Sequence, residues 1–451
     1  MSNKFREIDR ESELLLPANM EGWLGGDSLA RFVVEIVESL ETQAIDNAYK
    51  GGGSQPYPPK MMLALIFYCY ATGIFSSRAI ERATYELIPV IYLTGGTHPD
   101  HDSINTFRKR FLPELSALFV QILEIAHSTG ILKLGEISID GTKIKANASK
   151  HKAMSWKYAC QLEKALKVEI EELLKKAESA ENPKRKDIDI PAELQRREAR
   201  LEKMAEAKKK MEARAQVRYE HEKAEYEAKI AARQAKEKQT GRKIGGKKPQ
   251  APEPGPQAKD QVNFTDEKSR IMPVSGGGFE QAYNSQASVD MDSLIIVANH
   301  VSQLRADKQE IEPAITELET LPETLGQVEK VAADSGYFSK GKTEKLADQE
   351  IEAHIPSGRQ SHNQTLEERF QAEPEVPEAP TPVEAMKHRL KTDEGKKFYA
   401  RRKSTVEPVF GIIKEVLGFR RFSFRGLEAV TGEWNLVCLA FNLKRLYALK
   451  A

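Results

Sequence analysis

From about Met154 to Lys238 the chain is rich in Ala, Glu, Lys and Arg and carries only narrow apolar stripes. Leu162, Leu166, Ile170 and Leu173 form one stripe, and Leu194, Leu201, Met204 and Met211 form a second. Helices so charged, with so narrow an apolar face, bury only a thin core. Between the stripes, ENPKRKDIDIP carries prolines that break a helix. A coiled-coil-like hairpin arm over 153–240 is therefore expected. GRKIGGKKPQAPEPGPQAKD then opens a basic, flexible Pro/Gly linker over 241–275. The main core has to come from what lies before and after this insertion.

Those flanks alternate strands with helices. GEISID, ending at Asp140, alternates apolar and polar residues and reads as a strand. Beyond the linker, strand-like runs at 280–289 and 294–301 are joined by a turn at Asp290 to Ser293, which makes a hairpin. A helix in DKQEIEPAITELETL, a strand in QVEKVAADSGYFS with Asp334 at its end, a short helix in GKTEKLADQ and a strand in IEAHIPS follow. Residues 358–386 are polar, proline-rich and acidic and read as a disordered insert. A basic helical region and the apolar helix WNLVCLAFNLKRLYAL close the chain, with Trp434 expected in the core. Strands separated by helices pair in parallel beside the antiparallel hairpin. The expected fold is mixed α/β, a ribonuclease-H-like arrangement over 131–152 and 276–451.

Residues 1–130 read as helical. Leu29 to Leu40, PYPPKMMLALIFYCYATG and SSRAIERATYELIPVIYLTG are separate helices, and Asp102 to Ser103 is placed to cap one running through INTFRKRFLPELSALFVQILEIAHSTG. With Arg78, Arg82, Arg108, Lys109 and Arg110 taken as exposed, this part suits a helix-turn-helix-like DNA-binding unit. The apolar run from Met61 to Phe75 is too short to span a bilayer and reads as a buried helix. MSNKFREIDRESELLL has charges where a signal peptide needs an apolar block. Cys69, Cys160 and Cys438 are widely spaced and form no CxxC pair, which suits a reducing compartment. A cytoplasmic protein is expected. The net charge is only +1, so polyanion binding must come from local basic runs such as Arg242 to Lys248 and Lys387 to Arg425.

Within the second basic run sits STVEPVFGIIK, with Glu407 among apolar and basic neighbours. Ser404 and Glu407 have capping-box spacing, and Pro408 would fall in the first helical turn. Asp140 and Asp334 are each at a strand end, where a carboxylate faces a cleft; alone, either could be a turn residue. Asp140, Asp334 and Glu407 together would form a set of hard oxygen ligands. Their mutual repulsion calls for a divalent cation such as Mg²⁺. Two such ions, roughly 3.5–4 Å apart, support phosphodiester cleavage. Turn chemistry accounts for Asp290, Asp292, Asp266 and Glu267. Glu415 points away from the face of Glu407, and His98 and His101 lie in a polar loop.

ISIDGTKIKANASKH, GGFEQAYNSQASVD, ADSGYFS and YARRKSTVEPVFGIIKEVLGFRRF resemble the blocks of bacterial insertion-sequence transposases of the DDE class, in the group with a helical N-terminal domain. PYPPKMMLALIFYCYATGIFSSRAIERA and INTFRKRF resemble that helical domain. The resemblance implies that Asp140, Asp334 and Glu407 are the catalytic, metal-binding triad. It also implies a Tyr-Arg-Glu-Lys signature: Glu407 and Lys414 match its spacing, while Tyr399 and Arg402 stand one residue farther from the glutamate. Lys143, Tyr399, Arg401, Arg402, Lys403 and Lys414 are the candidates for holding DNA. The implied activity is Mg²⁺-dependent (or Mn²⁺-dependent) cleavage of terminal repeats and joining of 3′-hydroxyl ends to target DNA, by a homodimer that pairs the ends. Two alternatives remain at this point: a catalytically silent, transposase-derived DNA-binding protein, and a structural protein dominated by the arm.

Overall fold

The computed structural model describes residues 19–49, 55–178, 190–241, 245, 248–274, 276–358, 375 and 377–450. The described residues form two compact units, one drawn from Met1–Lys145 with Tyr283–Ala451 and the other from Ala146–Ala282. Among them the strands are β1 (Leu134–Lys145), β2 (Ala153–Ser155), β3 (Gln261–Asn263), β4 (Arg270–Pro273), β5 (Phe279–Asp290), β6 (Ile296–Ser302), β7 (Gly326–Ala333) and β8 (Glu352–His354).

In the first unit the sheet runs β6, β5, β1, β7, β8. β5 and β6 pair antiparallel, whereas β1 with β7 and β7 with β8 pair parallel. This is the mixed sheet expected from the alternation of strands and helices. The hairpin turn is built by Asp290, whose carboxylate accepts the backbone N–H of Ser293 at 2.8 Å and its hydroxyl at 2.6 Å. Asp290 is thereby committed to turn chemistry.

The N-terminal helices and the sheet fall in one unit because the last helix, Leu427–Lys450, serves both. Its middle, residues 436–443, is buried throughout, as expected of a helix packed on several sides. It packs on β6 and on the helices Pro59–Ala71 and Leu115–Ser128. Trp434 is fully buried in it and donates from its indole nitrogen to the Gln286 carbonyl at 2.9 Å. The apolar run from Met61 is likewise a buried helix, and none of the described helices is long and apolar enough to cross a membrane.

Three local expectations are corrected. The helix expected to run from Ile104 to Gly130 is two, His101–Arg110 and Leu115–Ser128. Pro113 lies in the break, where its missing N–H and its ring oppose continuation. The first of these is capped by Asp100, which accepts the Ser103 N–H at 2.8 Å, rather than by Asp102 or Ser103. Arg108, taken as exposed, is buried: its guanidinium donates to the Tyr70 hydroxyl and the Phe75 carbonyl and lies over the Phe424 ring.

In the second unit the helices Trp156–Glu178 and Ile190–Thr240 lie antiparallel, as the pairing of Lys208 with Glu163 at 2.7 Å and of Arg197 with Glu169 at 2.8 Å requires. Ala159, Ala207, Met211 and Val262 form a small core, with Met154 and Trp156 against it. The helix-breaking segment of the expected hairpin, 179–189, lies outside the described residues. β3 and β4 fall within the segment read as a linker over 241–275. β3 pairs with β2, and Asp260 is held by Arg218 at 2.9 Å, so the end of that segment is fixed to the arm. β4 pairs antiparallel with the first residues of β5. Of the insert expected over 358–386, residues 359–374 and 376 lie outside the described residues, and its end is helical, Pro382–Arg389, opened by a capping box between Thr381 and Glu384.

Candidate active site

The parallel register of β1 and β7 puts Ile139 opposite Ala333, both fully buried. The next residue on each chain is an aspartate. Asp140 and Asp334 therefore leave the core side by side, on strands about 4.8 Å apart. Each also uses one carboxylate oxygen locally: Asp140 accepts the Gly141 N–H at 2.8 Å, and Asp334 accepts the Gly336 N–H at 2.8 Å and caps the turn Ser335–Tyr337. Asp334 follows the last residue of β7, as expected, whereas β1 runs on past Asp140 to Lys145, so the expectation that this strand ends at Asp140 is corrected.

Glu407 reaches the pair through an arginine. Nη1 of Arg402 donates to Asp140 Oδ2 at 3.0 Å, and Nη2 donates to Glu407 Oε1 at 3.1 Å. The Arg402 side chain is only 10% exposed and that of Glu407 is 49% exposed. Tyr399 adds a hydrogen bond to Arg402, and burial raises the pKa of its phenol. The 3₁₀ turn Arg402–Ser404 lies between the helices Asp393–Arg401 and Val406–Gly411 and brings Arg402 and Glu407 together although they are five residues apart. The capping box expected from Ser404 and Glu407 does not form. The Ser404 hydroxyl donates back to the Arg401 carbonyl at 2.9 Å, Thr405 takes the N-cap position without a side-chain bond, and the Glu407 carboxylate is turned to Arg402.

Burial raises the Asp140 carboxyl to about 6; Asp334 and Asp307 push in the same direction, against the Gly141 N–H and Arg402. Burial lowers the Lys414 ammonium, with Lys143 and Arg420 adding to the effect and Glu415 and Asp140 opposing it. The groups that perturb these two residues link Asp140, Asp334, Lys143 and Lys414 in one electrostatic neighbourhood. Lys414 lies in a π-helical turn, Ile412–Val416, that the sequence pattern did not reveal. Among the described residues, no group of three or more His, Cys, Asp or Glu side chains is arranged to hold a metal ion. Arg402 lies between two of the three expected ligands, so Asp140 and Glu407 are joined through a cation supplied by the chain itself.

The remaining candidates are placed as follows. Arg401 pairs with Glu136 and Asp292. Lys143 is 14% exposed and pairs with Asp307 at 3.0 Å. Lys403 is exposed. Of the competing carboxylates, Glu415 pairs with Arg420. His101 pairs with Glu81 at 2.8 Å, and His98 stacks on Tyr85. Sequence reasoning missed Asp307, Asn284, Gln286 and Tyr337, a polar group beside Asp140 in which Asn284, Gln286 and Tyr337 are buried and Asp307 is partly exposed. Asn284 and Gln286 at alternate positions of a buried strand were the available signal, since buried amides demand partners.

A family model described as a transposase DDE domain matches residues 360–447, which include Tyr399, Arg402, Glu407 and Lys414. A second, described as a transposase domain (DUF772), matches residues 19–110, the N-terminal helices. No curated protein and no solved structure matches the chain. With a transposase-domain match toward each end of the chain, the family models support a DDE-class insertion-sequence transposase.

Proposed function

We propose that this transposase cuts the terminal repeats of an insertion sequence and joins the freed 3′-hydroxyl ends to target DNA, with Asp140, Asp334 and Glu407 as its catalytic carboxylates. The observation that carries the reading is the register of Ile139 with Ala333, which sets two aspartates just after paired positions of neighbouring strands, with Glu407 one arginine from Asp140. The strand order β6, β5, β1, β7, β8, with β7 and β8 parallel to β1, supports a ribonuclease-H-like core. The donor set fits a divalent cation: all three groups are hard carboxylates, and a guanidinium already neutralises two of them. When bound, Mg²⁺ or Mn²⁺, as one ion or two, would supply Lewis-acid activation of a water or hydroxyl and neutralise charge at the leaving oxygen. Asp140, Asp334 and Glu407 would hold it.

The chain's own groups then divide the work. Arg402 draws Asp140 and Glu407 together before DNA arrives and becomes available to a phosphate once they are otherwise neutralised. Lys403, Lys414, Tyr399 and Arg401 would serve as contacts to the DNA backbone, which position without reading sequence. A homodimer acting on paired ends, associated with the nucleoid, follows from the need to process two termini together.

The test is incubation of the purified full chain with DNA carrying the element's terminal repeats, with and without Mg²⁺. Divalent-ion-dependent nicking that disappears in Asp140→Asn and Asp334→Asn supports the proposal. DNA binding without nicking in any metal would instead identify a silent, transposase-derived DNA-binding protein.

A further inference from the structure

Beside the three carboxylates lies a fourth that does not join them. Asp307 opens the 3₁₀ turn Asp307–Gln309. Its Oδ1 accepts three hydrogen bonds: from Lys143 Nζ at 3.0 Å, Asn284 Nδ2 at 2.7 Å and Gln286 Nε2 at 3.1 Å. Asn284 and Gln286 are two apart on β5, both essentially without solvent exposure, and Gln286 Nε2 also donates to Asn284 Oδ1 at 2.9 Å. The Oε1 of Gln286 accepts the hydroxyl of the fully buried Tyr337.

The chain positions give this group its meaning. Lys143 is three residues beyond Asp140 on β1, and Tyr337 ends the turn that Asp334 caps. Asp307 thus ties β1, β5 and, through Gln286, the end of β7. Gly141 leaves room for it: a Cβ there would lie 2.1 Å from Gln286 Nε2 and 2.9 Å from Asn284 Oδ1. Every donor on Gln286 and Asn284 that faces Asp307 is used, as expected of a network that fixes geometry in a low-dielectric interior.

We propose that Asp307 is a positioning residue, holding Lys143 and the Gln286–Tyr337 pair so that Asp140 and Asp334 keep the spacing at which they act together. The proposal rests on the function proposed above. It also reassigns Lys143 from a DNA contact to a strut between β1 and Asp307.

The test compares Asp307→Asn, which keeps an acceptor oxygen, with Asp307→Ala and Gln286→Leu in the full chain. Single-turnover nicking of terminal-repeat DNA with Mg²⁺ is measured per folded molecule at saturating DNA, alongside DNA affinity and thermal melting. Loss of outer groups that orient carboxylate ligands typically costs about 10–100-fold. The expected result is a drop of that size in the saturating rate, larger in Asp307→Ala than in Asp307→Asn, with DNA affinity within about threefold of wild type. A wild-type saturating rate in folded Asp307→Ala would overturn the proposal, as would a rate loss matched by an equal loss of DNA affinity. If wild type itself fails to nick, the function proposed above falls and this proposal with it; wild-type nicking with unaffected variants sinks this proposal alone.

Discussion

Arg402 and Asp140 are joined by a hydrogen bond of 3.0 Å although 262 residues separate them in the chain. The bond links the turn before the Glu407 helix to the middle of β1, and it neutralises a carboxylate that burial would otherwise hold protonated. Arg402→Gln removes that neutralisation, so the Asp140 carboxyl should rise above about 6. The acid limb of the pH–rate profile for nicking should move to higher pH, with a fall of roughly tenfold or more in rate near neutrality. An unmoved acid limb in a folded Arg402→Gln protein would rule out this role.

The raised pKa of Asp140 has a cost in stability. A carboxyl at about 6 in the folded chain, against an ordinary 3.8, favours folding while it is protonated. That contribution is present below the unfolded value and is lost as pH rises from about 4 through about 6. A shift of this size corresponds to about 3 kcal/mol. In the absence of divalent ions, Asp140→Asn should therefore unfold at higher temperature than wild type at pH 8, with the gap closing toward pH 4. Melting curves across that range check it. A variant less stable than wild type at pH 8 would contradict the reading.

Glu407 and Glu415 separate the site from its basic surroundings. Both stand in the same basic segment, but Glu415 is exposed and paired with Arg420, whereas Glu407 shares Arg402 with Asp140. Glu407→Gln should lower nicking by about 100-fold or more, as loss of a group that stabilises the transition state does, while retaining DNA binding. Glu415→Gln should leave both unchanged. Nicking of terminal-repeat DNA by the two variants side by side decides between a site at Glu407 and a general need for acid in this segment.

What the sequence made legible follows local periodicity. The alternation in GEISID, the hairpin around Asp290, the apolar run of the last helix and the two stripes of the arm each reflect a period that a single element enforces. Asp140 and Asp334 were found because both follow apolar strand residues. The Arg402 bridge was not legible, since it depends on the 3₁₀ turn at Arg402–Ser404 and on strands far away in sequence. The capping-box spacing of Ser404 and Glu407 misleads because the 3₁₀ turn brings Arg402, five residues back, against the Glu407 carboxylate in place of the backbone N–H. Arg108 reads as exposed because it opens the basic run Arg108-Lys109-Arg110, yet Tyr70, Phe75 and Phe424 enclose it. Asp307 escaped notice because it begins a segment that reads as an ordinary helix start.

Asn442, in the buried middle of the last helix, addresses the β6 backbone directly. It is fully buried, accepts the Ile296 N–H at 2.9 Å and donates to the Ile296 carbonyl at 2.7 Å. β6 pairs with β5 on one side, and here Asn442 completes the backbone pairing of Ile296 on the other. Asn442→Leu would fill the space yet leave both Ile296 groups buried and unpaired. At about 1–3 kcal/mol for each such group, the loss should be roughly 2–6 kcal/mol. Asn442→Asp keeps an acceptor for the N–H but no donor for the carbonyl and buries a charge, so it should also destabilise, and more strongly above neutral pH than below pH 5. Urea unfolding of the full chain measures both. A loss below about 1 kcal/mol in Asn442→Leu would mean that the last helix is held to β6 by apolar packing alone, and that the pairing of Asn442 with Ile296 contributes no net stability.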